Sequence, residues 1–361
     1  MKINRRLKAW SPIILEVNGR INMKKRHVNI PIFIPHLGCP NDCVFCNQRT
    51  ISGHGDFRIE NVRDEIEEAL STIDAKTECE IAFFGGSFTG IDRELMISLL
   101  ELAEGYVKKG AASQIRLSTR PDYIDEEILD ILSRYSVKTI ELGLQSLNDD
   151  VLFASKRGHD VQAAITACRL IKERGFLLIG QMMIGLPCAT FDDEIKTAEL
   201  ICQMGADGAR VYPTVVFAET ELADMTARGD YKPLELEDAV ERTKNVLSIF
   251  DRCGVPCIRV GLCASENLKD ASKAIAGATH EAIGEMAMSL LYYERICQEL
   301  DKRGIRGGSL VIYVASGAVS KAIGHKKKNR EKICEKYELE SLKVLEKSEL
   351  LGYNIILEYI K

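Results

Sequence analysis

Apolar and polar positions along the chain follow two rhythms that take turns. Runs such as "HVNIPIFIP" (27–35), "CEIAFFGGSF" (79–88), "QIRLST" (114–119), "VKTIELGLQSL" (137–147), "FLLIGQMMIGLP" (176–187), "ADGARVYPTVV" (206–216) and "VPCIRVGL" (255–262) read as strands. Between them lie segments with apolar residues at i, i+3 and i+4: 61–73, 92–110, 125–135, 160–175, 190–205 and 235–254. That spacing predicts amphipathic helices, several closed by a glycine. Near-continuous apolar strands alternating with such helices predict a parallel sheet covered by helices, repeated through six or seven strands. The pattern fits an open sheet or a closed or partial barrel equally.

After about residue 265 the rhythm changes. A long helix is expected over 278–304, a strand over 309–317, a basic helix over 318–337 and a last strand over 353–360. The expected organisation is an N-terminal extension (1–26), an α/β core (27–264) and a small C-terminal α+β lobe (265–361). The first 22 residues show no clear period and precede a second methionine, Met23, so they read as a loose extension or an over-extended start.

Polar and glycine signals cluster just after the expected strands: a cysteine loop, Gly85-Gly86-Ser87, Ser118-Thr119-Arg120, Gln145 and Gln181. In a barrel-type sheet those ends share one face, where active sites sit. The cysteine loop, "PHLGCPNDCVFCNQRT", places Cys39, Cys43 and Cys46 in a C-x3-C-x2-C pattern. Pro40 and Asn41 favour a turn that would curl three thiolates around one centre. Three thiolates admit a zinc site with its fourth ligand elsewhere, unconnected thiols, or an iron–sulfur cubane with one open iron. Spacing and position after the first strand favour the cubane.

The loop resembles that of radical S-adenosylmethionine (radical SAM) enzymes. The resemblance implies a partial (β/α)6-type barrel, a [4Fe–4S] cluster held by Cys39, Cys43 and Cys46, and SAM chelated to the fourth iron. It implies that Phe45 packs on the adenine and that Gly85, Gly86 and Ser87 receive the SAM amino group. Further stretches, "LSTRPDYID" (117–125), "IELGLQSLNDDVLFASKRGHD" (140–160), "MMIGLP" (182–187) and "VYPTVVFAETELADMTARGDYKP" (211–233), resemble the radical SAM core of the Elongator catalytic subunit, which modifies the wobble uridine of transfer RNA. Gln145 and Arg157, twelve apart, resemble the SAM-contacting pair of oxygen-independent coproporphyrinogen oxidase, which implies that Gln145 hydrogen-bonds SAM and Arg157 pairs with its carboxylate. Gln181 stands where relatives carry an acidic or imidazole group that contacts the cofactor. Ser118 stands where relatives carry Glu, a weaker partner for SAM. No acetyltransferase segment is legible, so that activity is not carried over.

Net charge is −5 over 361 residues, so no global basic field points to nucleic acid, and DNA is not expected as a partner. Two local features suggest substrate contact: His280 in "GATHEAIGEM", and Lys321, Lys326, Lys327 and Lys328 in "SKAIGHKKKNR". Either is more simply a capped helix start or a solvated face. Twelve scattered cysteines and no secretory signal or long apolar run predict a reduced, cytoplasmic protein without a membrane segment. Cys253, Cys257 and Cys263 do not make a persuasive second cluster, because Cys257 falls in an apolar strand pattern.

The expected activity is reductive cleavage of SAM to a 5′-deoxyadenosyl radical, fed by a flavodoxin or ferredoxin, with transfer RNA as the expected substrate. The alternatives are a radical SAM enzyme acting on a small molecule or a protein, or an inactive iron–sulfur protein.

Overall fold

Seven strands form the main sheet of the computed structural model, the first six strands of the chain side by side in order and then the eighth. The structure describes residues 27–34, 38–39, 43–47, 57–74, 77–262 and 270–360, so the expected extension over 1–26 lies outside it. The chain runs β1 (His27–Ile34), α1 (Ile59–Thr72), β2 (Glu78–Gly85), α2 (Arg93–Lys108), β3 (Gln114–Thr119), α3 (Glu126–Leu132) and β4 (Val137–Gln145). It continues through α4 (Asp149–Ala154), α5 (Val161–Glu173), β5 (Leu177–Ile184), α6 (Phe191–Gln203), β6 (Gly208–Pro213), β7 (Val215–Phe217), α7 (Glu221–Arg228), α8 (Leu236–Arg252) and β8 (Cys257–Val260). The remainder is β9 (Ala274–Gly277), α9 (Ile283–Arg303), β10 (Ser309–Val314), α10 (Val319–Ile323), α11 (Lys328–Tyr337), β11 (Ser341–Glu346) and β12 (Ile356–Ile360). The fold is α/β, a seven-stranded parallel partial barrel with small additional sheets.

Two compact units make up the chain, one of residues 1–144 and 156–180, the other of 145–155 and 181–361. In the first unit β1 alternates between buried and partly exposed positions, whereas β2 is buried continuously from Cys79 to Phe83 and β3 from Ile115 to Leu117. Ile30, Ile32 and Ile34 of β1 are buried, as are Ile115 and Leu117 of β3 and Ile140, Leu142 and Leu144 of β4. Helices supply the matching stripe: Met96, Leu99, Leu100 and Ala103 of α2 recur at helical spacing and are fully buried. Asp92 caps α2, its carboxylate accepting from the backbone of Glu94 and Leu95.

The opposite face of the same strands is polar. The register sets Ala82 beside Arg116 and Ser118 beside Glu141. Arg116 therefore lies between two carboxylates, its Nε donating to Glu80 at 2.7 Å and its Nη1 to Glu141 at 2.9 Å. All three are buried, and His27 Nε2 lies 2.8 Å from Glu80. A buried guanidinium is tolerated because two charge-assisted bonds replace its water.

The second unit adds a two-stranded antiparallel ribbon, β7 with β9, and a three-stranded sheet ordered β11-β10-β12. Strand β10 is parallel to β11 and antiparallel to β12. Leu310, Ile312 and Val314 of β10 pack with Tyr292, Ile296, Ile333 and Tyr337 into a separate core.

Several expectations need correction. The helix expected over 278–304 begins at Ile283, so Thr279, His280 and Glu281 precede it. His280 Nδ1 accepts from the Ala282 backbone at 3.0 Å, holding the entry turn. The helix expected over 318–337 is broken: Gly324 has φ +81° and ends α10, and Lys326 and Lys327 adopt left-handed conformations before α11 begins. Gln181 lies inside β5 rather than after it. The ribbon strands, α4, α7 and β11 were not expected.

The Glu80 network yields a stability test. Burial alone would raise its carboxyl, but the His27 hydrogen bond and the Arg116 charge outweigh burial and hold it at about 2, below the 4.5 of an unperturbed glutamate. Its stabilisation is therefore fully present above pH 4.5 and lost as pH falls through 2. Glu80→Gln is expected to cost about 3 kcal/mol of unfolding free energy near neutrality, a difference that shrinks below pH 4.5. Denaturant titrations across pH check it; a difference independent of pH contradicts it.

Candidate active site

The site is built from glycines before it is built from cysteines. Gly38, immediately before Cys39, has φ +110°, a region that favours glycine. A Cβ there would lie 2.4 Å from the Ser87 carbonyl oxygen and 2.7 Å from the Gly90 backbone. A Cβ on Gly90 would in turn lie 2.5 Å from the Gly38 carbonyl oxygen. The cysteine loop thus packs backbone to backbone on the turn after β2. Gly85, with φ +108°, closes β2 directly against the Ile34 backbone, and the Gly86 amide donates to the Ile34 carbonyl at 2.8 Å.

The second half of the cysteine motif is a tight turn. The Cys46 amide donates to the Cys43 carbonyl at 2.9 Å, with Val44 buried beneath it and Phe45 half-buried. Cys43 is buried, while Cys39 and Cys46 are partly exposed. Burial pushes the Cys39 thiol up, against a backbone hydrogen bond from Ser87 and the positive field of Arg120. Among the described residues no three His, Cys, Asp or Glu side chains close on a single-ion site.

Two arginines converge on Cys43. Arg157 donates from Nη1 to its sulfur at 3.2 Å and from Nη2 to the Gly143 carbonyl at 2.7 Å. Arg120 Nη1 stands 4.0 Å from the same sulfur. Asp122 holds Arg120 in a two-point grip at 2.9 and 2.8 Å, and Arg120 Nη2 also donates to the Arg157 carbonyl.

A hydroxyl relay ties these pieces together. The Arg120 amide donates to Ser87 Oγ at 3.1 Å. Ser87 Oγ lies 2.8 Å from Thr119 Oγ1, which lies 2.6 Å from Thr89 Oγ1, and Thr89 donates to the Tyr123 carbonyl at 2.7 Å. Each hydroxyl has one proton, so the direction is fixed: Ser87 donates to Thr119 and Thr119 to Thr89. The turn after β2 and the end of β3 are locked by this chain.

The structure thus brings Cys39, Cys43, Gly85, Gly86, Ser87 and Arg157 into one region of the first unit. Ser118 is half-buried on β3, 3.4 Å from the Phe83 carbonyl it donates to, on the face that bears Glu141. In the second unit Gln145 ends β4 with φ +64°. It is buried, and its Oε1 makes no hydrogen bond among the described residues. A left-handed glutamine costs about 1–3 kcal/mol, and such strain concentrates at functional positions. Gln181 is half-buried. Sequence reasoning placed Thr119 and Arg120 at the site-bearing strand ends without giving them a role, and it overlooked Gly38, Thr89, Gly90 and Asp122 as site residues.

A partial barrel with three cysteines on the loop after its first strand, seated on a glycine turn, defines an α/β metal-cluster enzyme. The Radical SAM superfamily model matches residues 33–201 and the Radical_SAM C-terminal domain model matches 206–292. The chain belongs to the radical SAM superfamily, and with that membership come a [4Fe–4S] cluster and SAM. It is 29% identical over 224 residues to an uncharacterized protein of Methanocaldococcus jannaschii, 59% of this chain and 68% of that one. It is 32% identical over 139 residues to the tRNA uridine(34) acetyltransferase of Methanocaldococcus infernus, 38% of this chain and 26% of that one. The match thus spans about a quarter of that enzyme. The structure of archaeal Elp3 from M. infernus, lacking its first 46 residues, superposes with a TM-score of 0.57 at 21% identity, over 78% of this chain and 64% of that one. That likeness supports the fold.

The contact at Gly38 gives a direct test. Gly38→Ala is expected to cost about 2 kcal/mol or more from backbone strain and to lower iron incorporation on anaerobic reconstitution. Gly105→Ala, in α2 with open space around its Cα, should be neutral or stabilising. Melting curves and iron assays on both variants check the pair; equal effects contradict the packing argument.

Proposed function

We propose that Cys39, Cys43 and Cys46 hold three irons of the [4Fe–4S] cluster, and that the protein cleaves SAM there to modify RNA, with transfer RNA as substrate. The observation that carries the site assignment is the convergence of Arg157 and Arg120 on Cys43 beside Gly85-Gly86-Ser87. Once bound and reduced by an external one-electron donor, the cluster would supply an electron that breaks the C5′–S bond of SAM, giving methionine and a 5′-deoxyadenosyl radical able to take hydrogen from an unactivated carbon.

The chain's own residues position and shield. Arg157 is suited to the SAM carboxylate through its planar fork. Gly85 and Gly86 leave room for close approach, and Phe45 offers a surface for the adenine. Gln145 offers an amide whose carbonyl oxygen has no hydrogen-bonded partner among the described residues. Ser118, on the polar face of β3, and Gln181 are read as SAM contacts from the family resemblance alone. Arg120 acts as a positioning residue, held by Asp122 and holding the Arg157 backbone.

Transfer RNA is supported by the similarity to the tRNA uridine(34) acetyltransferase. A flavodoxin or ferredoxin is read as the electron donor from the superfamily alone, and a reducing, cytoplasmic setting is supported by eleven described cysteines that are all free thiols. No described helix is long and apolar enough to cross a membrane. The C-terminal lobe, from about residue 265, is read as the substrate-specific part.

Reconstituted protein should form 5′-deoxyadenosine from SAM and dithionite without oxygen, and added bulk transfer RNA should raise the yield several-fold. Cys39→Ala, Cys43→Ala or Cys46→Ala should each abolish it. Full activity in any one sinks the cluster assignment. Turnover indifferent to transfer RNA removes RNA as substrate and leaves the radical core standing.

A further inference from the structure

We propose that the turn from Gly324 to Lys328, with the start of α11, is a docking surface for the phosphate backbone of RNA. The inference rests on the RNA reading above and assigns the contact to a defined place in the fold.

Charge is the first argument. Residues 318–337 hold seven Lys or Arg against Glu331 and Glu335, a net of +5 in a chain whose total is −5. The remainder therefore carries −10. His325, Lys326, Lys327 and Lys328 are exposed, and Lys321 and Arg330 are partly so. Among the described residues Lys326, Lys327 and Lys328 form no ion pair. Elsewhere in the same unit Lys244 is held by Glu241 and Glu294 at 2.5 and 2.7 Å. Three neighbouring lysines left without carboxylates, in an acidic protein, make a concentrated positive corner.

Backbone conformation is the second. Lys326 has φ +50° and Lys327 φ +65°. Lysine has neither the freedom of glycine nor the local hydrogen bonding of asparagine there, so each costs stability. The turn is nevertheless firmly built. Asn329 Nδ2 donates to the Ser289 carbonyl at 2.8 Å, to Ser289 Oγ at 2.9 Å and to the Ala322 carbonyl at 3.3 Å. The Lys327 amide donates to the Gly324 carbonyl at 3.0 Å. A Cβ on Gly324 would lie 2.9 Å from the Asn329 amide nitrogen. A rigid turn that keeps lysine where glycine is cheaper points to a use for the charges.

Chemistry selects the partner. Lysine ammoniums are point charges without a fixed fork, suited to phosphates contacted without base reading. Such a surface positions a polyanion and supplies salt-sensitive affinity, leaving selectivity to the catalytic site.

The test uses the full-length protein, fluorescently labelled bulk transfer RNA, and anisotropy titrations between 50 and 200 mM KCl. Lys326→Gly/Lys327→Gly removes two charges and suits the left-handed conformation, so the melting temperature should hold or rise. Affinity at the lowest salt should fall about tenfold, and the slope of log K against log salt should lessen by between about one and two. Unchanged affinity and slope in a folded variant overturn the dock while leaving RNA as the substrate class. Absence of salt-sensitive binding by the wild-type protein overturns both. Unchanged RNA binding with lost binding of an acidic flavodoxin overturns the dock and assigns the corner to a redox protein.

Discussion

The backbone contact between Gly38 and the turn Ser87–Gly90 is the constraint on which the site depends. No side chain fits on either side of it, so the loop that carries Cys39 is set by the end of β2. The same turn carries Gly85, Gly86 and Ser87, so thiols and glycine cradle cannot move apart. The hydroxyl relay through Ser87, Thr119 and Thr89 extends this rigidity to the end of β3, where Arg120 begins. Preorganisation is thus made largely from backbone and small hydroxyls, which lose little side-chain entropy when fixed.

A second layer of order lies in the sheet. The apolar face of β1, β3 and β4 contributes burial, while the other face holds Glu80, Arg116 and Glu141 in buried ion pairs. Replacing such a triad with apolar residues is often neutral or stabilising in other proteins. Its presence here fits a sheet whose polar face serves chemistry: Ser118 occupies that face directly beside Glu141.

The main sheet was legible because its signal is local. Near-continuous apolar runs name the strands and the 3.6-residue period the helices, and glycine stops mark several helix ends. The cysteine loop was legible from spacing, and Arg157 from resemblance. What escaped depends on distant partners. Gly38 is one glycine among 27, and only the approach of Ser87 and Gly90 gives it meaning. Arg120 reads as a turn residue until Asp122 and Cys43 are placed around it. The broken helix at Gly324 escaped because a helical pattern with one glycine ordinarily continues. The left-handed lysines carry no composition signal at all. Short strands such as β7 and β9 are fixed by pairing with each other, which no local period announces.

Electron paramagnetic resonance of the anaerobically reconstituted and reduced protein, with and without SAM, tests the central claim most directly. The account predicts four irons and four sulfides per chain and a reduced-cluster signal that changes when SAM is added, because one iron lacks a protein ligand. A chain that takes up a single zinc, or a cluster signal unmoved by SAM, would contradict it.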